Sequence, residues 1–197
     1  MKLGSHNSWS FGKTDWYIPT FTCKCQNLNI QEQYNLGVRL FDLRLRLKKK
    51  VWYPAHGSAC FKCDFIKDLK WLNEKGDCYV RLMLEYNSKP KNSNDIVETF
   101  DDYCTNLENT YNNIKFFGGR KKWDWTSYAH TCKNPEETLI DRYSSTTSFF
   151  SSTNKLLRIS DDWWPYLYAK CYNKDNYKKY KDSSDWLFID FVEYGRS

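Results

Sequence analysis

The sequence predicts an α/β domain, and three observations predict it. Stretches of strand character are followed by stretches of helical spacing, again and again, which is the pattern of a parallel sheet covered by helices. Within Val38 to Leu47, Val38, Leu40, Leu43, Leu45 and Leu47 form an apolar framework, and Asp42, Arg44 and Arg46 put charge at every second position, the period that sends alternate side chains to opposite faces of a strand. The chain has 197 residues with no internal repeat or low-complexity linker, so a single domain over residues 1–197 with a substantial core is expected.

The elements come in order. Met1 to Gly4 is short and apolar enough for a first strand, ending at Ser5, His6 and Asn7. Residues 9–22 are aromatic and contain Pro19, a loop able to overhang a site. Leu28 to Asn35 has helical character with Gly37 beyond it as a stop. The strand over 38–47 leads through a basic turn, Lys48 to Lys50, into a second strand from Val51 to Ala55. Residues 64–75 carry Phe65, Leu69 and Leu72 at helical spacing before Gly76, and Asp77 to Tyr86 returns to a strand. Asn92 to Ile114 is the longest helical pattern, with Ile96, Phe100, Cys104, Leu107 and Tyr111 on one face. Beyond it the pattern is harder to read: 116–135 is rich in Gly and Trp, 143–154 in Ser and Thr, and 155–181 is partly helical.

Bulk properties narrow the partners. Net charge is +6 with Lys and Arg spread along the chain, which favours an anionic head group, nucleic acid or anionic membrane surface. Aromatic residues make up 18% of the chain, more than a core requires, so some Trp and Tyr are expected to line a cleft or surface. No run approaches the roughly 18 apolar residues of a spanning helix, and no apolar leader region comes after Met1. The expectation is a cytoplasmic monomer, peripheral at membranes. Eight cysteines in such a chain read as reduced thiols. A four-thiolate zinc site from Cys23, Cys25, Cys60 and Cys63 is the less favoured alternative, because Cys-x-Cys is a poor zinc spacing.

The chemistry concentrates in two stretches. A carboxylate and a guanidinium two residues apart on one strand face, then His56 at the end of the next apolar run, give a charged floor with a titratable edge. His6 adds a second imidazole. Two imidazoles and an arginine are the minimum for moving protons to and from a phosphodiester while holding its charge. Either histidine alone would read as structural.

GSHNSWS at 4–10, GVRLFDLRLR at 37–46 and AHG at 55–57, in this order, resemble the X-region of phosphatidylinositol-specific phospholipase C enzymes of the compact, metal-independent bacterial type. WLFIDFVEYG at 186–195 resembles that family's last barrel strand, which carries an aspartate. The similarity covers residues 3–57 and 77–87, and more thinly 186–195. It implies a small distorted or incomplete TIM barrel with shortened or missing helices, its site at the C-terminal ends of the strands. It further implies that a hydroxyl next to the phosphate attacks it, diacylglycerol leaves and a cyclic phosphate forms. His6 matches the general base, His56 the general acid, Asp190 the carboxylate that orients the base, Arg44 the phosphate ligand and Asp42 the carboxylate beside it. Asn7, Arg81 and Glu85 are expected to contact substrate.

Two positions depart from the metal-independent type. Asn7 stands where those enzymes carry an aspartate supporting the acid histidine, and Glu85 falls where calcium-dependent eukaryotic relatives bind calcium. Asn7, Asp42 and Glu85 would supply oxygen ligands to calcium or magnesium. Arg44 stands in the place of a further acidic ligand, so no cofactor is the favoured reading. Trp9, Trp16, Trp123, Trp125, Trp163 and Trp164 are candidates for a membrane interface. Trp163 and Trp164 lead them, since of two adjacent residues only one easily points inward. Arg39 and Arg46 read as solvated or structural and His130 as a surface residue. Two other functions fit the same residues: a phosphodiesterase of nucleotides or another soluble diester, which keeps nucleic acid as a disfavoured partner, and an idle phosphoinositide-binding module.

Overall fold

The computed structural model describes residues 1–14, 23–85, 93–119, 139–141 and 165–196. Its strands are β1 (Lys2–Ser5), β2 (Lys13–Thr14), β3 (Val38–Lys48), β4 (Val51–His56), β5 (Ala59–Lys62), β6 (Tyr79–Leu84), β7 (Lys115–Gly119), β8 (Leu139–Asp141) and β9 (Trp186–Ile189). Helices α1 (Ile30–Asn35), α2 (Phe65–Lys75), α3 (Ser93–Thr110) and α4 (Pro165–Tyr180) lie between them.

The parallel strands lie side by side in the order β8, β9, β1, β3, β6, β7. The last strand in sequence therefore pairs with the first, Lys2 opposite Trp186 through Ser5 opposite Ile189. That closure curls the sheet into a partial TIM barrel. The upper half of β3 leaves β1 and pairs antiparallel with β4, and β5 and β2 continue that ribbon.

The period of two divides the side chains into two layers. Leu3, Phe41, Leu43, Leu45, Val80, Leu82, Phe116, Leu187 and Ile189 join Phe65, Leu69, Leu72, Phe100, Cys104 and Leu107 from α2 and α3 in the larger core. The other face of the same strands gives a small apolar plug of Leu40, Phe117, Trp186 and Phe188. Above it, two residues further along the strands, come His6, Asp42, Arg81 and Asp190, with Arg44 two residues beyond Asp42, all buried. Gly4 makes the plug possible: a Cβ there would stand 2.8 Å from the Phe188 ring and 3.3 Å from Leu40.

The helices form where their caps and apolar stripes require. Asn29 and Glu32 make a reciprocal capping box at the start of α1, Glu32 N–H donating to Asn29 at 3.0 Å and Asn29 N–H to Glu32 at 2.8 Å. Asp64 caps α2 by accepting from Lys67 N–H, and Gly76 ends it in the left-handed conformation with its N–H on Leu72. Pro165 opens α4, where its missing N–H costs nothing.

Among the described residues, each strand and helix expected before Ile114 is present, with its ends shifted by a few residues at most. Four short strands, β2, β5, β7 and β8, were not expected. At two to five residues they are too brief for periodicity to register, and β7 (KFFGG) reads as a turn. Gly118 in it has φ 113°, and a Cβ there would meet the Leu82 carbonyl oxygen at 2.2 Å. β6 needs that close approach.

Candidate active site

The SHNS stretch and β3 are stitched together by backbone. Ser8 N–H donates to the Asp42 carbonyl at 2.9 Å, Ser8 Oγ accepts Asp42 N–H at 2.7 Å, and Asn7 N–H donates to Asp42 Oδ2 at 2.9 Å. Asn7 turns in the left-handed region, φ 44°, which asparagine tolerates better than most residues. His6 thus leaves the top of β1 pointing over β3, while its own N–H extends the ladder to Ile189 at 2.9 Å.

His6 is held at both nitrogens. Nδ1 lies 2.7 Å from Asp190 Oδ1 and Nε2 lies 2.5 Å from an Arg44 terminal nitrogen. A guanidinium cannot accept a hydrogen bond, so Nε2 is the acceptor and Nδ1 carries the proton, donated to Asp190. Burial lowers the His6 pKa well below its ordinary value, and Arg44 lowers it further. Burial pushes the Asp190 carboxyl well above its own.

Asp42 is the electrostatic centre. Its Oδ2 accepts from Arg44 Nε at 2.8 Å and its Oδ1 from Arg81 Nε at 2.9 Å. Burial alone would raise its pKa, but Arg44 and then Arg81 hold it far below the usual carboxylate range. Arg44 also approaches Glu85, at 3.8 Å. Glu85 in turn accepts the Gly57 N–H at 2.9 Å, which fixes the turn just beyond His56.

His56 stands edge-on to His6, ring centroids 6.1 Å apart and planes at 90°. Its Nδ1–H donates to the Cys23 carbonyl at 2.8 Å, so Nε2 is the nitrogen left to exchange a proton. Burial and then Arg44 lower its pKa.

Solved structures share this architecture. The phosphatidylinositol-specific phospholipase C of Listeria monocytogenes superposes with a TM-score of 0.63 at 15% identity, covering 98% of this chain and 88% of that one. A mutant of the Staphylococcus aureus enzyme gives 0.59 at 18% identity, covering 98% and 86%. A further Staphylococcus aureus structure, solved in work on modulating that enzyme's membrane binding, gives 0.63 at 17%, covering 98% and 86%. The fold is that of the bacterial phosphatidylinositol-specific phospholipases C. No family model matches the chain, and no curated protein matches it by sequence.

On this phospholipase C fold the expected residues His6, Asp42, Arg44, Arg81, Glu85 and Asp190 form one bonded network, with His56 against it. The side-chain nitrogen of Asn7 is buried and has no hydrogen-bond partner, and the same holds for Arg81 Nη2. Arg39 is structural as expected, bonded to Asp77 at 2.9 Å, and Arg46 donates to the Ser58 carbonyl at 2.8 Å. Nothing from position 7 supports His56; the Cys23 carbonyl does that instead. Trp9 corrects the interfacial reading, being fully buried with its Nε1–H on Asp68 at 2.9 Å. Trp16, Trp123, Trp125, His130, Trp163 and Trp164 lie outside the described residues.

The metal readings meet obstacles. Cys23, Cys25, Cys60 and Cys63 form no disulfide, and among the described residues they do not gather into a four-thiolate site. Asn7, Asp42 and Glu85 do not fit calcium or magnesium, because the Arg44 guanidinium stands between the two carboxylates and both Asp42 oxygens already take arginine. Among the described residues, His6, Cys25 and Asp190 place ligand atoms within 4.8 Å of one another, but the His6–Asp190 hydrogen bond spends two of those three donors.

Sequence reasoning missed the strap from Cys23 to Gln26. Gln26, fully buried, donates to the carbonyls of His6 at 2.9 Å and Ile189 at 3.1 Å and accepts Val192 N–H at 3.2 Å. The Cys25 carbonyl takes Phe191 N–H at 2.7 Å. From α4, Asn173 donates to the Asp190 carbonyl at 2.8 Å. The strap ties together the three turns that present His6, His56 and Asp190. A glutamine in a chain already rich in polar residues carries no sequence signal of this. Gln26→Leu removes three buried hydrogen bonds, stranding the His6 carbonyl and the Val192 N–H while the Ile189 carbonyl keeps the His6 N–H, and is expected to cost on the order of 3–5 kcal/mol. Thermal unfolding checks this, and a melting temperature within a degree or two of wild type would contradict it.

Proposed function

We propose that the protein is a phosphodiesterase of the phosphatidylinositol-specific phospholipase C type, opening its substrate by attack of the neighbouring hydroxyl to give a cyclic phosphate, with no metal required. The observation that carries this is the double hold on His6. Asp190 fixes its proton on Nδ1, and an arginine suited to phosphate sits on the bare Nε2.

Each step rests on a named residue. In the resting site Arg44 caps the base and the two imidazole rings touch. A phosphate entering above Asp42 draws the guanidinium of Arg44 to its oxygens and parts the rings, so Nε2 is uncovered for the substrate hydroxyl. His6 takes the hydroxyl proton, and the imidazolium that forms is stabilised by Asp190, whose carboxylate is thereby favoured. His56, protonated at Nε2, gives its proton to the departing glycerol oxygen. Asn7 Nδ2 and Arg81 Nη2 are donors for the phosphate or the ring hydroxyls. Asp42 holds both arginines in place and offsets part of their charge while the site is empty. The pentacoordinate transition state carries more negative charge on its equatorial oxygens than the diester does, so Arg44 binds it more tightly.

The pH dependence has a definite sign. Catalysis needs His56 protonated, and its pKa is lowered, so the active form is lost as pH rises through a value below about 6.5. It needs His6 neutral, and its pKa is lowered further, so the low-pH limb lies well under that value. The profile of kcat/KM is therefore expected to be a bell whose upper limb begins below about pH 6.5 and falls about tenfold per unit. Initial rates on phosphatidylinositol vesicles, RNA and cyclic nucleotides across roughly pH 4 to 9, a range chosen to bracket the histidine value, test both substrate and mechanism. Turnover of phosphatidylinositol with this bell supports the proposal. Turnover of RNA or a nucleotide alone transfers the chemistry to a soluble diester, and binding of phosphatidylinositol without turnover leaves an idle module.

A further inference from the structure

The ribbon formed by β3 and β4 stands above the site. Lys48 pairs with Val51, so Lys49 and Lys50 alone make the turn. Both have positive φ, 51° and 63°, the two-residue hairpin geometry that asparagine and glycine fill without strain and lysine does not. Both lysines are exposed, and Val51 beside them is 49% exposed, the most exposed of the large apolar side chains among the described residues. Lys48 is already engaged within the fold, which leaves the two turn lysines as the charge of the tip.

The direction of the ribbon matters. β3 runs from the apolar plug past Asp42 and Arg44 and on for four more residues to Lys48, roughly 13 Å at about 3.3 Å per residue. β4 returns from the turn to His56. The tip is thus raised over the floor of the site on the side from which substrate must enter, with two ammonium groups and an isopropyl group at its end.

We propose that the Lys49–Lys50–Val51 tip docks on an anionic lipid surface, the ammonium groups meeting phosphate head groups and Val51 entering the interface, and so sets the mouth of the site against the membrane. The charge pattern favours lipid over nucleic acid, since an exposed valine between the lysines and the sheet has an apolar phase to enter only at a bilayer. Retaining lysine at two left-handed positions also has a reason here: the turn gives up local stability for charge at the tip. This deepens the reading of the site as one that acts on a membrane diester, and its test does not use turnover.

The test is co-sedimentation of the full chain with vesicles of phosphatidylglycerol and phosphatidylcholine, and with phosphatidylcholine alone, at low and high salt. The double variant Lys49→Asn, Lys50→Gly suits the turn better, so it is expected to melt a few degrees higher while binding anionic vesicles roughly thirtyfold more weakly, taking each lysine near the surface at its usual contribution. Val51→Ser, which leaves the charge alone, is expected to weaken anionic binding at high salt as well. Unchanged partitioning of the double variant overturns the proposal, as does equal binding of the wild type to neutral vesicles, or a preference of the tip for single-stranded RNA added in competition. If the protein docks as described yet turns over no phosphatidylinositol, the docking surface stands and the proposed reaction fails separately.

Discussion

His6→Ala is expected to lower kcat/KM on phosphatidylinositol by about four orders of magnitude, the upper end of what a positioned base supplies. The size reflects what the alanine removes. Neither the second imidazole nor the arginines can replace the base: His56 must carry a proton on Nε2 to act as the acid, its Nδ1 is spent on the Cys23 carbonyl, and the arginines are donors only. Folding is expected to survive. The change deletes the two buried hydrogen bonds of the His6 ring, to Asp190 at 2.7 Å and to Arg44, and leaves Asp190, which burial already pushes toward its neutral form, to take a proton instead of a charge. A loss of about 1.5–3 kcal/mol is the expected structural cost, a fall of up to about 10 °C for a chain of this size. Turnover and melting measured on the same preparation check it. Activity within tenfold of wild type, in a folded variant, would remove His6 from the mechanism.

Arg44→Met is expected to damage both properties. The side chain is one of the largest wholly buried ones and touches His6, Asp42 and Glu85. Breaking a buried pair from one side costs about 3–5 kcal/mol, and losing a phosphate donor aimed at developing charge costs about 10²–10³ in rate. Arg44→Lys restores charge but not the fork that reaches Asp42 and phosphate together, so it is expected to recover stability more than rate. Acid stability changes in a definite direction. Asp42 is held below its unfolded value of about 3.9, so its contribution to stability is full above that value and is lost as pH falls through the folded one. With Arg44 gone, Arg81 is the remaining guanidinium on Asp42 and the largest remaining cause of its lowered pKa. Acid unfolding of Arg44→Met, tracked by circular dichroism, is therefore expected to begin at higher pH than in the wild type. An unshifted acid transition would mean that Asp42 keeps its charge without Arg44.

Much of this site is legible in the sequence because its parts sit on periodic elements. Asp42 and Arg44 announce themselves on β3 as charges at every second position of an apolar run, a placement that needs partners. His6, His56 and Asp190 fall at the ends of strands that hydrophobic patterning locates to within a residue or two. What stayed hidden is what has no period. Gln26 acts through carbonyl oxygens that every residue owns. The Cys23 carbonyl sets the His56 tautomer regardless of its side chain. Closure of β9 on β1 is a pairing across the whole chain that no local window contains, and β7 and β8 are too short to show a pattern. Trp9 misleads in the opposite sense: its place among many aromatics suggests a surface, yet its ring is fully buried and the half-buried Asp68 carboxylate takes its indole N–H.

Every role proposed for the site requires that a neighbouring hydroxyl, not water or a metal-bound oxygen, attacks the phosphorus. Phosphorus NMR of the wild-type protein with phosphatidylinositol vesicles in the presence of a chelator reads that directly. A cyclic phosphodiester signal that grows first, with any monoester appearing later, is the predicted result. A monoester appearing first, or no product until a divalent cation is returned, would contradict it.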